Sequence, residues 1–296
     1  MPSWRGRPRS ERVGRLAALF RELTVESWRI LDDEAAEVRA ARGGRWDPRP
    51  LVAYVTGAVF LVLMEYWGMP EDFAATVEWL AQMESEGVLG GDRFRDLPNS
   101  PYWELMHHAW WAGWRVLGFF VLPLIVVLAY PGERVRDQHL AGGSDAKLGT
   151  FYLVGLAVAL SLLAGVSFSP GFQATYPFYV AAQRSVLDLG LWELMYIAQF
   201  FSLEFFFRGW WLRFGRSMGS HAIWAMMVPY VMIHVGKPMA ETLGAVVAGI
   251  FLGTLAARGR SLWAGFGLHC AVAVGMDIAC LLQRDAFPTR WLPALH

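Results

Sequence analysis

Only two cysteines occur in the 296 residues, Cys270 and Cys280, ten positions apart in one predicted helix. That separation excludes a mutual disulfide and offers no metal-ligand spacing, so both read as small buried apolar residues. Net charge is also missing: 26 basic and 26 acidic side chains cancel, which removes any global argument for nucleic acid or an acidic partner. There is no HExxH helix, the usual zinc-protease signature. No inverted repeat with paired broken helices can be traced, which counts against a transporter. No cleavable signal peptide is expected, because the first apolar run begins only near Leu51.

What the chain does have is apolar length. Its composition is 55% hydrophobic, with 15 Trp and 19 Phe and a mean hydropathy of +0.32. Several uninterrupted apolar runs approach twenty residues, the length of a transmembrane helix. The expected fold is all-α, a polytopic integral membrane bundle of about seven spans. They are placed at about Leu51–Trp67, Trp103–Tyr130, Thr150–Phe168, Leu187–Phe214, His221–Val235, Met239–Ala257 and Leu262–Leu282.

The chain divides into four regions. Residues 1–49 are Arg-rich, with eleven Arg in the first fifty positions against eight acids. Within them Val13–Phe20, with Leu23, Trp28, Ile30 and Leu31, suits an amphipathic helix on the membrane surface. Residues 50–148 hold the first spans and an acidic connection at 69–101. Residues 149–283 form the helical core, and 284–296 a tail. The basic N-terminus, the 131–148 loop, Arg213, Arg216, Arg258 and Arg260 fall on one side of a seven-span arrangement. By the excess of Arg on that side the N-terminus is expected in the cytoplasm, with the plasma membrane as the location.

Two ionisable residues interrupt the fourth run. Glu204 and Arg208 stand four apart, on one helix face and about 6 Å apart along the axis. A charge at mid-bilayer costs about 2.5–3.5 kcal/mol on insertion scales, so a carboxylate there reads as functional, or else as half of a structural ion pair. His234 and His269 also lie in apolar segments. Glu204 precedes Arg213 by nine residues and His269 follows Arg260 by nine, so each sits roughly 13 Å from the basic boundary. His234 falls roughly 21 Å from it on the same rule. Similar depth permits a meeting but does not fix which way each helix faces.

In order and spacing, Glu204-Phe-Phe-Phe-Arg208, Tyr230-Val-Met-Ile-His234 and His269 resemble the three motifs of the CAAX protease and bacteriocin-processing (Abi) intramembrane endopeptidases, over roughly residues 150–283. Those motifs are Glu-Glu-x-x-x-Arg, an aromatic followed four residues later by His, and His-x-x-x-Asn or Asp. The resemblance implies hydrolysis of a peptide bond in a membrane-associated or lipid-modified substrate. It implies that Glu204 with His234 activates water, that His269 stabilises the oxyanion, and that Arg208 orients Glu204. No cofactor is implied in the glutamate-dependent members. The bilayer and the substrate are the expected partners, and nucleic acid is not.

Two positions depart from the pattern. Leu203 stands where the family has its first Glu, so Glu204 can take that role only through helix rotation or a local bulge. Ala273 stands in place of the third-motif Asn or Asp. Asp277 lies about 12 Å further along the helix than His269 and is expected to face another helix. Around the core, Lys237 and Glu241 read as an i, i+4 clamp behind His234. Glu193 reads as a polar contact, and the aromatic run Phe200–Trp211 as lipid-facing bulk. Glu104 with His107 and His108 resembles half of a metal site, with interfacial placement the simpler reading. Two alternatives stay open: a zinc protease using Glu204, His234 and His269 as ligands, and a non-catalytic scaffold, immunity-type or transport protein on the same frame.

Overall fold

The computed structural model describes residues 18, 21–142 and 146–293, and the regular elements among them are all helical. In chain order the principal helices are α1 (Ser27–Ala41), α2 (Arg49–Trp67), α3 (Pro70–Ser85), α4 (Trp103–Ala129), α5 (Ala146–Val166), α6 (Val186–Glu204), α7 (His221–Met232), α8 (Met239–Gly259) and α9 (Trp263–Gln283). Beyond Glu204 the chain continues as a π-helical segment, Phe205–Trp211.

Six helices among the described residues are long and apolar enough to cross a membrane. The fifth expected span is the exception, since α7 has 12 residues, about 18 Å of helix against a hydrocarbon core of about 30 Å. Pro229 inside it brings no backbone N–H, and the chain turns out at Gly236, whose φ of +99° suits a residue without Cβ. The count is therefore six long spans and one short apolar helix. On α5, Leu153, Val154, Val158 and Leu162 all point outward. A continuous apolar face of this kind belongs against lipid.

The chain forms two compact units. The first comprises the described parts of Met1–Tyr54, Gln138–Ser144 and Phe207–Ser261. Its centre is the α7–α8 pair, brought close by Gly249 and Gly253 on one face of α8. A Cβ at 253 would stand 2.7 Å from Met226 Cε, and one at 249 would stand 3.1 Å from the Tyr230 ring. Such small-xxx-small faces let membrane helices pack backbone to backbone, where no hydrophobic force drives association.

The expected surface helix at 13–20 lies outside the described residues apart from Ala18. Its continuation, α1, packs on protein. Leu31 and Ala35 are buried, Trp28 donates to Thr254 Oγ1 at 3.1 Å, and Asp32 accepts from the Ser220 N–H at 2.7 Å and hydroxyl at 3.1 Å. A carboxylate at that point satisfies donors at the start of α7 that no helical carbonyl can reach.

The second unit comprises the described parts of Val55–Asp137, Asp145–Phe206 and Leu262–His296. Met64, fully buried, fills the space over Gly118 where α2 and α4 touch. The acidic 69–101 connection is largely helical. In it Glu84 accepts from the backbone N–H groups of Arg93, Phe94 and Arg95 at 2.9, 3.0 and 3.2 Å, turning an apparent loop into a closed hairpin. The unit's core gathers Leu105, Tyr179, Ala182, Trp192, Tyr196 and Ala273, so α4, α6 and α9 share one interior.

Candidate active site

The second unit places Glu204 against His269. Glu204 ends α6 with no solvent exposure, and His269 lies a turn and a half into α9. The His269 Nδ1 stands 2.7 Å from Glu204 Oε1. A carboxylate accepts and does not donate, so in this contact the ring N–H is on Nδ1.

Two further residues fix this geometry. Gly265, one turn before His269, leaves the space the carboxylate occupies: a Cβ there would stand 2.8 Å from Glu204 Oε2. Phe200, one turn before Glu204, stacks on the imidazole at 5.4 Å between centroids and 15° between planes. It ends an aromatic column in which Trp192 stacks on Tyr196 at 4.9 Å and Tyr196 meets Phe200 at 4.6 Å. The i, i+4, i+8 spacing of these three rings was available in the sequence as a signal. A glycine four residues before the histidine was another.

Asp277 faces another helix, as its position implied, and accepts from Trp192 Nε1 on α6 at 2.6 Å. Glu193 lies within electrostatic reach of Asp277 rather than in the motif. The half-metal reading of Glu104, His107 and His108 does not hold. Glu104 accepts from the Val180 backbone at 3.0 Å, His107 packs edge-on to Phe73 and Trp103, and His108 packs against Tyr179 and Trp192.

The first unit gathers Arg208, Tyr230, His234, Lys237 and Glu241. The Arg208 guanidinium lies over the Tyr230 ring at 4.0 Å, a close cation–π contact on a fully buried side chain. His234 Nδ1 stands 2.7 Å from the Tyr230 carbonyl, which again puts the proton on Nδ1. Thr242 Oγ1 donates to the His234 carbonyl at 2.8 Å, and Lys237 pairs with Glu241 at 2.7 Å, the clamp the spacing suggested.

The aromatic run overturns its expected reading. Phe205, Phe206, Phe207 and Trp210 are fully buried and Trp211 nearly so, so these rings are interior and not lipid-facing. A helix that is apolar all round is enclosed by protein or by lipid, and the burial of these rings assigns this one to protein. The run is also the π segment, in which i→i+5 bonding changes the angular phase of the residues beyond it. It begins only after Glu204, so Glu204 keeps the phase that α6 gives it.

His139 was not singled out by the sequence. It stands at φ +55° in the 131–148 loop, and its Nδ1 lies 2.6 Å from the Arg208 carbonyl inside the π segment. Burial pulls its pKa down from 6.5 to about 4, the hydrogen bond to that carbonyl opposes the shift, and Arg213, Arg260 and Arg216 add to it. The folded state thus binds this proton more weakly than the unfolded chain. Its stabilising effect is complete above pH 6.5 and is lost as pH falls towards 4, at about 1 kcal/mol per pH unit. His139→Asn keeps a donor and tolerates the left-handed backbone. Melting temperatures measured from pH 7 to pH 4 should therefore fall less steeply for it than for the wild type. Parallel acid limbs would show that His139 is not the titrating group.

Among the described residues no group of three His, Cys, Asp or Glu side chains is disposed to hold a metal ion. Glu204 and His269 are directed at each other, the relation of an orienting carboxylate to an imidazole rather than of two ligands to one ion.

Residues 185–275, from the start of α6 into α9, match the family model described as type II CAAX prenyl endopeptidase Rce1-like. The match supports the resemblance carried by the three motifs and, with it, a protease of the membrane. No curated protein and no solved structure matches the chain.

Proposed function

We propose that this chain, whose residues 185–275 match the type II CAAX prenyl endopeptidase model, is a glutamate-dependent intramembrane endopeptidase that hydrolyses a peptide bond in a lipid-modified, membrane-held substrate. The observation that carries the reading is the buried carboxylate–imidazole pair, Glu204 Oε1 to His269 Nδ1 at 2.7 Å.

The pair supplies from one residue what two motif positions lack. With Leu203 and Ala273 in place of the family's Glu and its Asn or Asp, Glu204 both provides the acid and holds the third-motif His. In the reaction a water oxygen attacks the scissile carbonyl carbon while its proton passes to His269 Nε2. Glu204, still ionised, stabilises the imidazolium that forms, and His269 then delivers the proton to the leaving amine nitrogen as the C–N bond breaks. Low dielectric around a fully buried carboxylate strengthens its hold on the imidazolium. This gives His269 the proton-transfer role in place of the oxyanion role the motifs implied. His234 enters through the resemblance: its neutral ring, with Nδ1–H on the Tyr230 carbonyl, presents Nε2 as an acceptor.

The test is a reconstituted protein offered a membrane-tethered peptide with a prenylated cysteine and its unprenylated twin, with products read by mass spectrometry. Hydrolysis of the tethered peptide is expected, and no hydrolysis of either would remove the reading. The zinc alternative has its own check. Activity is expected to persist after dialysis against a strong chelator, and loss that only added zinc restores would replace Glu204 as orienter with Glu204 as ligand.

A further inference from the structure

Three membrane-spanning helices bring their ends to one place in the first unit, and each carries arginine there. Arg49 opens α2. Arg213 and Arg216 lie where the 33-residue span Val186–Met218 closes, and Arg260 follows the last residue of α8. These groups act on one another. Arg260, Arg213 and Arg49 all push electrostatically on Arg216, while Glu34 pulls on it, and Arg213, Arg260 and Arg216 together bear on His139. Glu34 is engaged with Arg260 at 3.0 Å, and Asp47 is held by Arg49 at 2.8 Å. Arg216 Nε is shut off from solvent with no hydrogen-bond partner among the described groups.

Helix C-termini favour cations through their partial negative charge, which accounts for an arginine at the ends of the Val186–Met218 span and of α8 but not for Arg49 at the start of α2. It does not account for several guanidinium groups held within interaction range of one another, one of them with a buried donor left over. Such a group favours a doubly or triply bonded oxyanion, and guanidinium geometry fits phosphate well. The position of the cluster says which phosphate is at hand. The ends of three spans mark the edge of the hydrocarbon core, the level at which lipid headgroups lie. Trp46, 69% exposed just ahead of α2, is the kind of ring found at that level.

We propose that Arg49, Arg213, Arg216 and Arg260 form a phosphate-binding site at the shared end of these spans, occupied by the headgroup phosphate of an anionic phospholipid. The site is independent of the protease reading, since neither Glu204 nor His269 takes part in it. It ties the lipid to three helix ends of the first unit, so occupancy would stabilise that unit.

The full chain in nanodiscs of phosphatidylcholine, with and without phosphatidylglycerol, provides the test. For the wild type the melting temperature should rise with phosphatidylglycerol, and lipid co-purifying after detergent exchange should be enriched in it roughly fivefold per engaged arginine. Arg216→Gln with Arg260→Gln should lose both effects, while Arg136→Gln, on an exposed side chain outside the cluster, should keep them. Inorganic phosphate added to phosphatidylcholine nanodiscs separates the sources. A rise in melting temperature with phosphate alone assigns the site to free phosphate instead of lipid. No enrichment and no shift in the wild type would overturn the proposal, as would equal loss in Arg136→Gln, which would attribute the effect to general surface charge. If the double variant does not fold, Arg216→Lys reports instead: loss of the planar fork should reduce enrichment although the charge remains, and unchanged enrichment would overturn the site.

Discussion

Glu204→Gln is expected to lower the rate of peptide hydrolysis by about a thousandfold while leaving the protein folded, the size of effect associated with a positioned acid–base group. Glutamine has nearly the same volume and can still meet His269 Nδ1 through its amide oxygen, so the ring stays in place. What disappears is the negative charge, and with it the stabilisation of the imidazolium formed when His269 takes the proton. The loss should appear in kcat far more than in KM, because the charge matters only once the proton has moved. Unchanged hydrolysis by a folded Glu204→Gln protein would exclude the pair as the reaction's proton carrier.

Gly265→Ala should be nearly as damaging for a geometric reason. The new Cβ would stand 2.8 Å from Glu204 Oε2 and 3.5 Å from its Cδ, closer than unbonded atoms settle, so the carboxylate must withdraw from α9. A displacement approaching 1 Å at a reacting group can cost about a hundredfold in rate. Alanine meanwhile improves helix propensity by about 1 kcal/mol over glycine. The expected signature is a protein at least as stable as the wild type and about a hundredfold slower, with the fall in kcat. A loss of stability in step with activity would mean that Gly265 only packs helices. Full activity would mean that the Glu204 carboxylate does not need its present position.

How much of this could be read in advance depends on which property was being read. Apolar run length is a one-dimensional property, and it located the six long helices to within a few residues. It overstated His221–Val235, because hydropathy does not register the turn that follows Met232 and closes at Gly236. Depth along an axis is equally one-dimensional, and it correctly brought Glu204 and His269 to one level. Facing is not. The choice of Asp277 for Trp192, of Glu204 for His269 Nδ1 and of His139 for the Arg208 carbonyl depends on how helices and a loop are rotated about one another, which residue spacing does not encode. The burial of Phe205–Trp211 was missed for the same reason, since an apolar residue looks alike to lipid and to protein.

The π segment carries a consequence for how such a sequence can change. A π turn holds one residue more than the α turn it replaces, so deleting one residue between Phe205 and Trp211 would let both flanking helices keep their own hydrogen bonding. It would also swing everything after the deletion by about 100°. Substitutions around Glu204 alter one contact at a time, whereas a single-codon deletion or insertion here exchanges the whole set of side chains downstream. The register of this motif is therefore inherited by length as much as by residue identity.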